Sequence, residues 1–218
     1  MHLETIIYTG LLGLQGLVAA RSVSNTDAHV SLDARGDLST RGVDWRGKPK
    51  IGLRDITKYR QLRGPHASVQ YDSDDVDTKQ SEVYLAHTRS IRGWLLLKVY
   101  RQEHFLENEV DIYKGLEGKP IAPEFKALVT DGGKVVGILL KFIESAIEPN
   151  MPQANICRNK LNALHAQGIV LGEDFKTDNF LVRGNDVWII DFEESAYASD
   201  DDEFEEDSER FECAFGTW

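Results

Sequence analysis

A short loop rich in acidic and amide side chains is where this sequence could bring phosphate and a metal ion together. Asp174 and Asn179 lie five residues apart in the loop, and Asp191 follows at the end of an apolar run. Their carboxylate and amide oxygens are hard ligands, which Mg²⁺ prefers and shares with phosphate oxygens. Lys176 lies between them, where its charge could neutralise a phosphoryl group in transit. The loop therefore predicts phosphoryl-transfer chemistry.

Apolar runs and helical periodicity predict the elements that position this loop. A first helix, 103–116, carries apolar residues at helical spacing and ends before Gly118 and Pro120. A second helix is predicted at 154–166, immediately before the loop. Strands are predicted at 83–86, 94–100, 125–129, 134–143, 180–182 and 187–190. Strands, helix, strands, helix, loop and hairpin in this order predict an α+β fold.

Together these segments resemble the protein kinases. The stretch Leu164–Val170, followed by Asp174-x-Lys176-x-x-Asn179, is similar to the kinase catalytic loop. Asp191 and Phe192 are similar to the start of the kinase Asp-Phe-Gly segment. His165 is expected to be a structural residue that packs beside the loop. The resemblance covers about half the chain and is closest to the small, divergent kinase-like proteins of filamentous fungi.

Two upstream residues extend the resemblance. Lys98 occupies the place of the strand lysine that contacts the α- and β-phosphates, and Glu109 that of its helix partner. The resemblance implies ATP and Mg²⁺ as cofactors. The implied cofactor-binding residues are Lys98, Glu109, Asn179 and Asp191, of which Asn179 and Asp191 hold the metal; Asp174 and Lys176 are the implied catalytic residues. Lys98→Met is expected to abolish nucleotide binding and to leave stability little changed.

The sequence also departs from the kinase pattern. Gly172 and Glu173 stand where kinases have His-Arg, Glu193 replaces the glycine of Asp-Phe-Gly, and no glycine-rich turn precedes Val83. Only about 25 residues follow Glu193. The predicted architecture is therefore protein-kinase-like, with an N-terminal sheet lobe and a reduced helical C-terminal lobe.

Three functions remain open from the sequence. The chain could be a small kinase that transfers phosphate from ATP to a hydroxyl of a protein or a small molecule. It could instead be a secreted pseudokinase, a binding or regulatory module that keeps the nucleotide cleft without turnover. The third alternative is a small-molecule phosphotransferase like the aminoglycoside and choline kinases, although Lys176 favours the protein-kinase branch.

Charge and the apolar amino terminus limit the partners and the location. The net charge of −11 argues against a nucleic-acid partner, because phosphate contacts need a basic face. Residues 1–20 are predicted to be a signal peptide cleaved after Ala20, and their apolar run is too short for a stable membrane span. The predicted location is therefore secreted, with cytoplasmic as the alternative, and along a secretory route Cys157 and Cys213 could pair.

The remaining divisions follow from composition. Residues 21–68 are polar with little periodicity and are predicted to be a linker or pro-segment, followed by the kinase-like domain at 69–199. Residues 200–218 are strongly acidic and are predicted to be mainly a solvated tail. Four aromatic residues near the end, Phe204, Phe211, Phe215 and Trp218, are more than a simple acidic tail needs.

Overall fold

A computed structural model of the chain describes residues 45, 47–63, 81–173 and 175–216. The predicted signal peptide, the first part of the predicted linker and the predicted catalytic residue Asp174 lie outside the described residues. Across the described ranges, no helix is both long enough and apolar enough to cross a membrane.

A six-stranded sheet is the largest element of the fold. Its strands are β1 (Lys50–Gly52), β2 (Ile56–Arg63), β3 (Ser81–Thr88), β4 (Leu95–Tyr100), β5 (Phe125–Asp131) and β6 (Lys134–Lys141). In space they follow the order β1-β5-β6-β4-β3-β2. The pair β1 and β5 is parallel, and every other neighbouring pair is antiparallel. Strand β4 therefore lies inside the sheet, where its side chains are well covered.

The sheet begins earlier in the chain than the sequence predicts. Strands β1 and β2 fall within 21–68, which was predicted to be a linker, and the predicted domain start at residue 69 lies after both of them. Strand β2 is an edge strand whose residues 57–61 are exposed, so it shows no alternation of buried and exposed residues. Polar side chains are usual on an edge strand, and this is why the segment looked like a linker. Trp45 is also buried, with its ring centroid 4.3 Å from that of Phe125.

Three α-helices and two small sheets are the other main elements of the described fold. The helices are α1 (Glu103–Gly115), α2 (Ala154–His165) and α3 (Asp202–Phe215). The small sheets pair β7 (Ile169–Val170) with β10 (Ala196–Tyr197), and β8 (Phe180–Arg183) with β9 (Asp186–Ile189). Helix α1 packs against β4 and β6, and α2 against β7 and β9. The α+β class predicted from the sequence is confirmed.

Helix α3 replaces the solvated tail that the acidic composition predicts. Phe211 and Phe215 are almost completely buried, and their rings stack with centroids 4.4 Å apart. Both rings also meet the buried ring of Phe180 at the start of β8. Spacing of four residues places Asp207, Phe211 and Phe215 on one face of the helix, whereas most of the other acidic residues are exposed or half-buried. Counting charges hid this amphipathic periodicity.

Both cysteines are free thiols in this structure. Cys157 is buried on α2, and Cys213 is exposed on α3. The pairing considered for a secreted chain is therefore not present in this fold.

Candidate active site

Lys98 lies at the centre of a buried group of charges. It projects from β4 and is 3% exposed. Its Nζ lies 2.5 Å from Oε2 of Glu109, 2.6 Å from Oδ1 of Asp191 and 2.7 Å from Oε1 of Glu193. Burial by itself would lower the pKa of Lys98, but the three carboxylates outweigh it and raise that pKa above its ordinary value. We call these four residues the lysine cluster.

Glu109 reaches the lysine cluster from the inward face of α1. The helix buries Leu106, Glu109, Val110 and Tyr113, which recur at spacings of three and four residues. Oε2 of Glu109 also accepts a hydrogen bond of 2.6 Å from the hydroxyl of Tyr100. Oε1 of Glu109 is buried and has no hydrogen-bond partner among the described residues. Burial raises the pKa of Glu109 above its ordinary value, and the charge of Lys98 offsets only part of that rise.

The segment that carries Asp191 is fixed against the same helix. Asp191 has a φ of 68°, so the chain turns sharply after β9 and its carboxylate meets Lys98. The side-chain amide of Asn108 donates to the carbonyl oxygens of Glu193 at 2.9 Å and Ser195 at 2.7 Å. The ring of Phe192 is fully buried and lies edge-on to that of Tyr113, with centroids 5.4 Å apart. Helix α1 and this segment therefore hold Glu109 and Asp191 in place together.

Glu193 connects the lysine cluster to strand β3 of the sheet. Its carboxylate is 5% exposed and accepts a hydrogen bond from the hydroxyl of Ser81 at the start of β3. From the sequence, Glu193 was interpreted as the residue that replaces the glycine of Asp-Phe-Gly. The sequence does show an acidic residue two positions after Asp191, but no sequence argument could place it beside Lys98.

Asn179 fastens the loop to the strand end before Asp191. Its Oδ1 accepts a hydrogen bond of 2.7 Å from the backbone N–H of Lys176, and its backbone carbonyl accepts one of 2.8 Å from Ile190. The amide oxygen has two lone pairs, so one remains available for a cation. Lys176 is exposed and lines the same cleft as Lys98 and Asn179. The structure thus gathers Lys98, Glu109, Lys176, Asn179 and Asp191 around one cleft.

A single carboxylate on α3 also binds the backbone at the start of the loop. Asp207 is fully buried, and its oxygens accept hydrogen bonds from the backbone N–H groups of Leu171 at 3.1 Å and Gly172 at 3.2 Å. The ring Nε2 of His165 lies 2.8 Å from the same carboxylate. We call these four residues the Asp207 cluster. Gly172 has a φ of +82°, and a Cβ there would lie 2.9 Å from the carbonyl oxygen of Glu194, so only glycine fits well.

Both apolar and charged side chains line the cleft. Apolar side chains line its walls, among them Val83 and Leu96 from the sheet and Leu181 from β8. Lys98, Glu109 and Asp191 of the lysine cluster form the charged end. An apolar slot that ends in a fixed ammonium group and carboxylates suits a ligand with a planar ring at one end and anionic groups at the other.

The donor set at the charged end is chemically suited to a hard divalent cation. Glu109, Asp191 and Glu193 each offer an oxygen atom, and these three atoms lie within 4.8 Å of one another. Asp191 is the most exposed of the three, with 18% of its side chain accessible. Because Lys98 contacts all three carboxylates, a cation would compete with its ammonium group for the same oxygens. Asp191 together with Asn179 therefore fits Mg²⁺ better than the full carboxylate set does.

Comparisons with known proteins bear on the fold. No protein-family model matches the chain, and no curated protein matches it. Among solved structures, the chain is similar to the kinase PK-1 of the Cydia pomonella granulovirus, with 16% sequence identity and a TM-score of 0.50. The match covers 67% of this chain and 57% of the viral kinase, which is less than two thirds of that protein. The chain has a kinase-like α+β fold.

Proposed function

We propose that this protein binds ATP with Mg²⁺ in the cleft and transfers a phosphoryl group to a hydroxyl of a protein or small molecule. The observation that carries the proposal is the direct contact of Lys98 with Glu109 and Asp191 at the charged end of an apolar cleft. Three residues from a strand, a helix and a hairpin end are brought to one point, which chance burial of polar groups does not explain. The kinase-like fold supports the same function.

Each candidate site residue has a physical role in this proposal. Lys98 binds phosphate oxygens as a fixed charge, and Glu109 orients its ammonium group. Asp191 and Asn179 hold Mg²⁺, which supplies charge neutralisation on the phosphates. Asp174 orients the acceptor hydroxyl and accepts its proton. Lys176, exposed at the cleft, neutralises charge on the phosphoryl group during transfer.

A second candidate function is binding without turnover. It is favoured by Glu193, whose carboxylate contacts Lys98 where kinases have a glycine, and by Glu173, which is exposed on the loop in place of a basic residue. Glu193 adds negative charge beside Lys98, the residue that would bind phosphate. A pseudokinase would retain the cleft and the nucleotide without phosphoryl transfer.

Titration calorimetry of the full chain with ATP, with and without Mg²⁺, tests the proposal. We expect binding that Mg²⁺ strengthens, and a loss of at least about tenfold in affinity for Lys98→Met, because a phosphate-binding charge is removed. Lys134→Met is the matched control, since Lys134 is an exposed lysine on β6. Binding by Lys98→Met equal to that of the wild type would contradict the role of the cleft.

The metal role is tested separately by Asp191→Asn. The amide keeps the shape of the side chain but loses the charge that holds a hard cation, so nucleotide affinity should no longer respond to Mg²⁺. Full Mg²⁺ dependence in this variant would place the cation elsewhere. Transfer of labelled phosphate to added proteins or small hydroxyl compounds then separates the kinase from the pseudokinase.

A further inference from the structure

Three carboxylates enclose the ammonium group of Lys98. A lysine ammonium carries three N–H donors and no acceptor. Three carboxylate oxygens, one each from Glu109, Asp191 and Glu193, lie within 2.7 Å of the Nζ atom. Nζ donates hydrogen bonds to Glu109 and Asp191, and the carboxylate of Glu193 completes the group as an ion pair. A phosphate oxygen can therefore bind Lys98 only if one of these carboxylates moves away.

The three carboxylates differ in how firmly they are held. Glu109 is fully buried and is also bound by the hydroxyl of Tyr100. Glu193 is 5% exposed and is also bound by the hydroxyl of Ser81. Asp191 is the most accessible of the three, with 18% of its side chain exposed. It is therefore the carboxylate that a cation entering from the cleft reaches first.

The net charge of the lysine cluster also opposes phosphate binding. One ammonium and three carboxylates give the lysine cluster a formal charge of 1 − 3 = −2. Such a site repels a polyphosphate, and repulsion between buried charges is poorly screened by salt. A divalent cation bound at Asp191 would cancel this charge and release one N–H of Lys98.

We propose that Glu193 makes nucleotide binding conditional on a divalent cation, by holding its carboxylate against the Lys98 ammonium group, where it excludes a phosphate oxygen. This inference rests on the proposed nucleotide-binding function. Without a cation, Glu193 stays in ion-pair contact with Lys98. Binding of the cation at Asp191 opens one position, and the nucleotide then fills it. Glu193 is thus a positioning residue that links the two ligands.

The test is the ratio of ATP dissociation constants measured with a metal chelator and with Mg²⁺. Glu193→Ala frees the position beside the Lys98 ammonium group and removes a charge, so this ratio should fall at least about tenfold relative to the wild type, mainly through tighter binding in chelator. Glu193→Gln removes the charge but keeps an acceptor, so it should give a smaller decrease. Glu194→Gln is the matched control, because Glu194 is adjacent and exposed and should leave the ratio unchanged.

The outcomes separate the inference from the proposed function. Wild-type binding in Mg²⁺ with an unchanged ratio in Glu193→Ala would overturn the inference and leave the cleft as a nucleotide site. Failure of the wild type to bind ATP under either condition would overturn the proposed function, and the inference with it. Circular dichroism and thermal melting establish that each variant is folded. Ser81→Ala, which removes only the second partner of Glu193, should lower the ratio in the same direction if Glu193→Ala does not fold.

Discussion

The Asp207 cluster and the lysine cluster are both buried groups of charges, and they are built in opposite ways. In the Asp207 cluster one carboxylate accepts from two backbone N–H groups and contacts the ring of His165. In the lysine cluster three carboxylates share one ammonium group. The first has a single charge surrounded by fixed donors, and the second has more acceptors than donors.

This difference separates a structural role from a ligand-binding role. A buried carboxylate with several donors is satisfied by the chain itself and fixes the backbone that supplies them. The lysine cluster leaves Oε1 of Glu109 without a partner among the described residues and has surplus negative charge. Buried groups left in that condition raise the free energy of the folded protein, and a bound cation would lower it. We infer that the Asp207 cluster maintains the loop and that the lysine cluster serves the ligand.

Deleting residues 200–218 should produce the largest effect, which is loss of cooperative folding. The truncation removes Asp207 and the two buried rings of Phe211 and Phe215, each contributing roughly 2 kcal/mol through burial. Circular dichroism and thermal melting of the truncated chain measure this. Glu209→Gln, at an exposed position of α3, is the control and should melt like the wild type. A truncated chain that melts normally would restore the interpretation of a solvated tail.

Lys98→Met should destabilise the protein by about 3–5 kcal/mol, because three buried carboxylates lose the charge that they share. The sequence predicted little change in stability, since the aliphatic stem is retained; the burial of Lys98 and its three partners is the reason for the revised value. Urea denaturation measures the loss, and Lys134→Met should stay within about 0.5 kcal/mol of the wild type. Equal stability of both variants would mean that the lysine cluster is not buried in solution.

Local pattern made much of the fold predictable. The helix at 103–116 and the hairpin before Asp191 follow from spacing, and they correspond to α1 and the pair β8 and β9. The kinase motif order placed Lys98, Glu109 and Asp191 in one hypothesis, and these side chains are in direct contact. The order of these motif residues along the chain predicts that they lie close together, because each of them occupies a defined position in a strand or helix.

The missed features depend on partners that sequence alone cannot assign. The edge strand β2 pairs with β3, but most of its residues are polar and exposed. Its sequence therefore lacks the alternation of apolar and polar residues that would have predicted a strand. Asp207 was counted as one charge among many, although its contacts with Leu171 and Gly172 lie 36 and 35 residues away in the chain. Glu193 was likewise compared with a glycine, and its contact with Ser81 spans 112 residues.

Asp207→Asn should destabilise the protein by about 2–3 kcal/mol, less than the loss of Lys98. One carboxylate oxygen becomes an NH₂ group, which opposes a donor and leaves a buried hydrogen bond unmade. Hydrogen exchange at the backbone N–H groups of Leu171 and Gly172 should accelerate at the same time, because these are the donors that lose their acceptor. Glu209→Gln is the control, since Glu209 is exposed on the same helix. Unchanged exchange at both N–H groups would remove Asp207 from its role in holding the loop.

The smallest change, Cys213→Ser, provides a sensor for the packing of α2 and α3. Cys213 is exposed, so its replacement should alter the free energy of unfolding by less than about 0.5 kcal/mol. Cys157 is then the sole thiol of the chain. Its side chain is buried, and burial raises the pKa of the thiol to about 12, so the reactive thiolate is scarce at neutral pH. Labelling of Cys157 by a thiol reagent should be slow in this variant and should accelerate when Asp207→Asn is added, because α3, which packs against α2, is then held less firmly. If labelling is equally slow in both, the Asp207 cluster does not hold α3 in place. Fast labelling in Cys213→Ser alone would contradict the burial of Cys157.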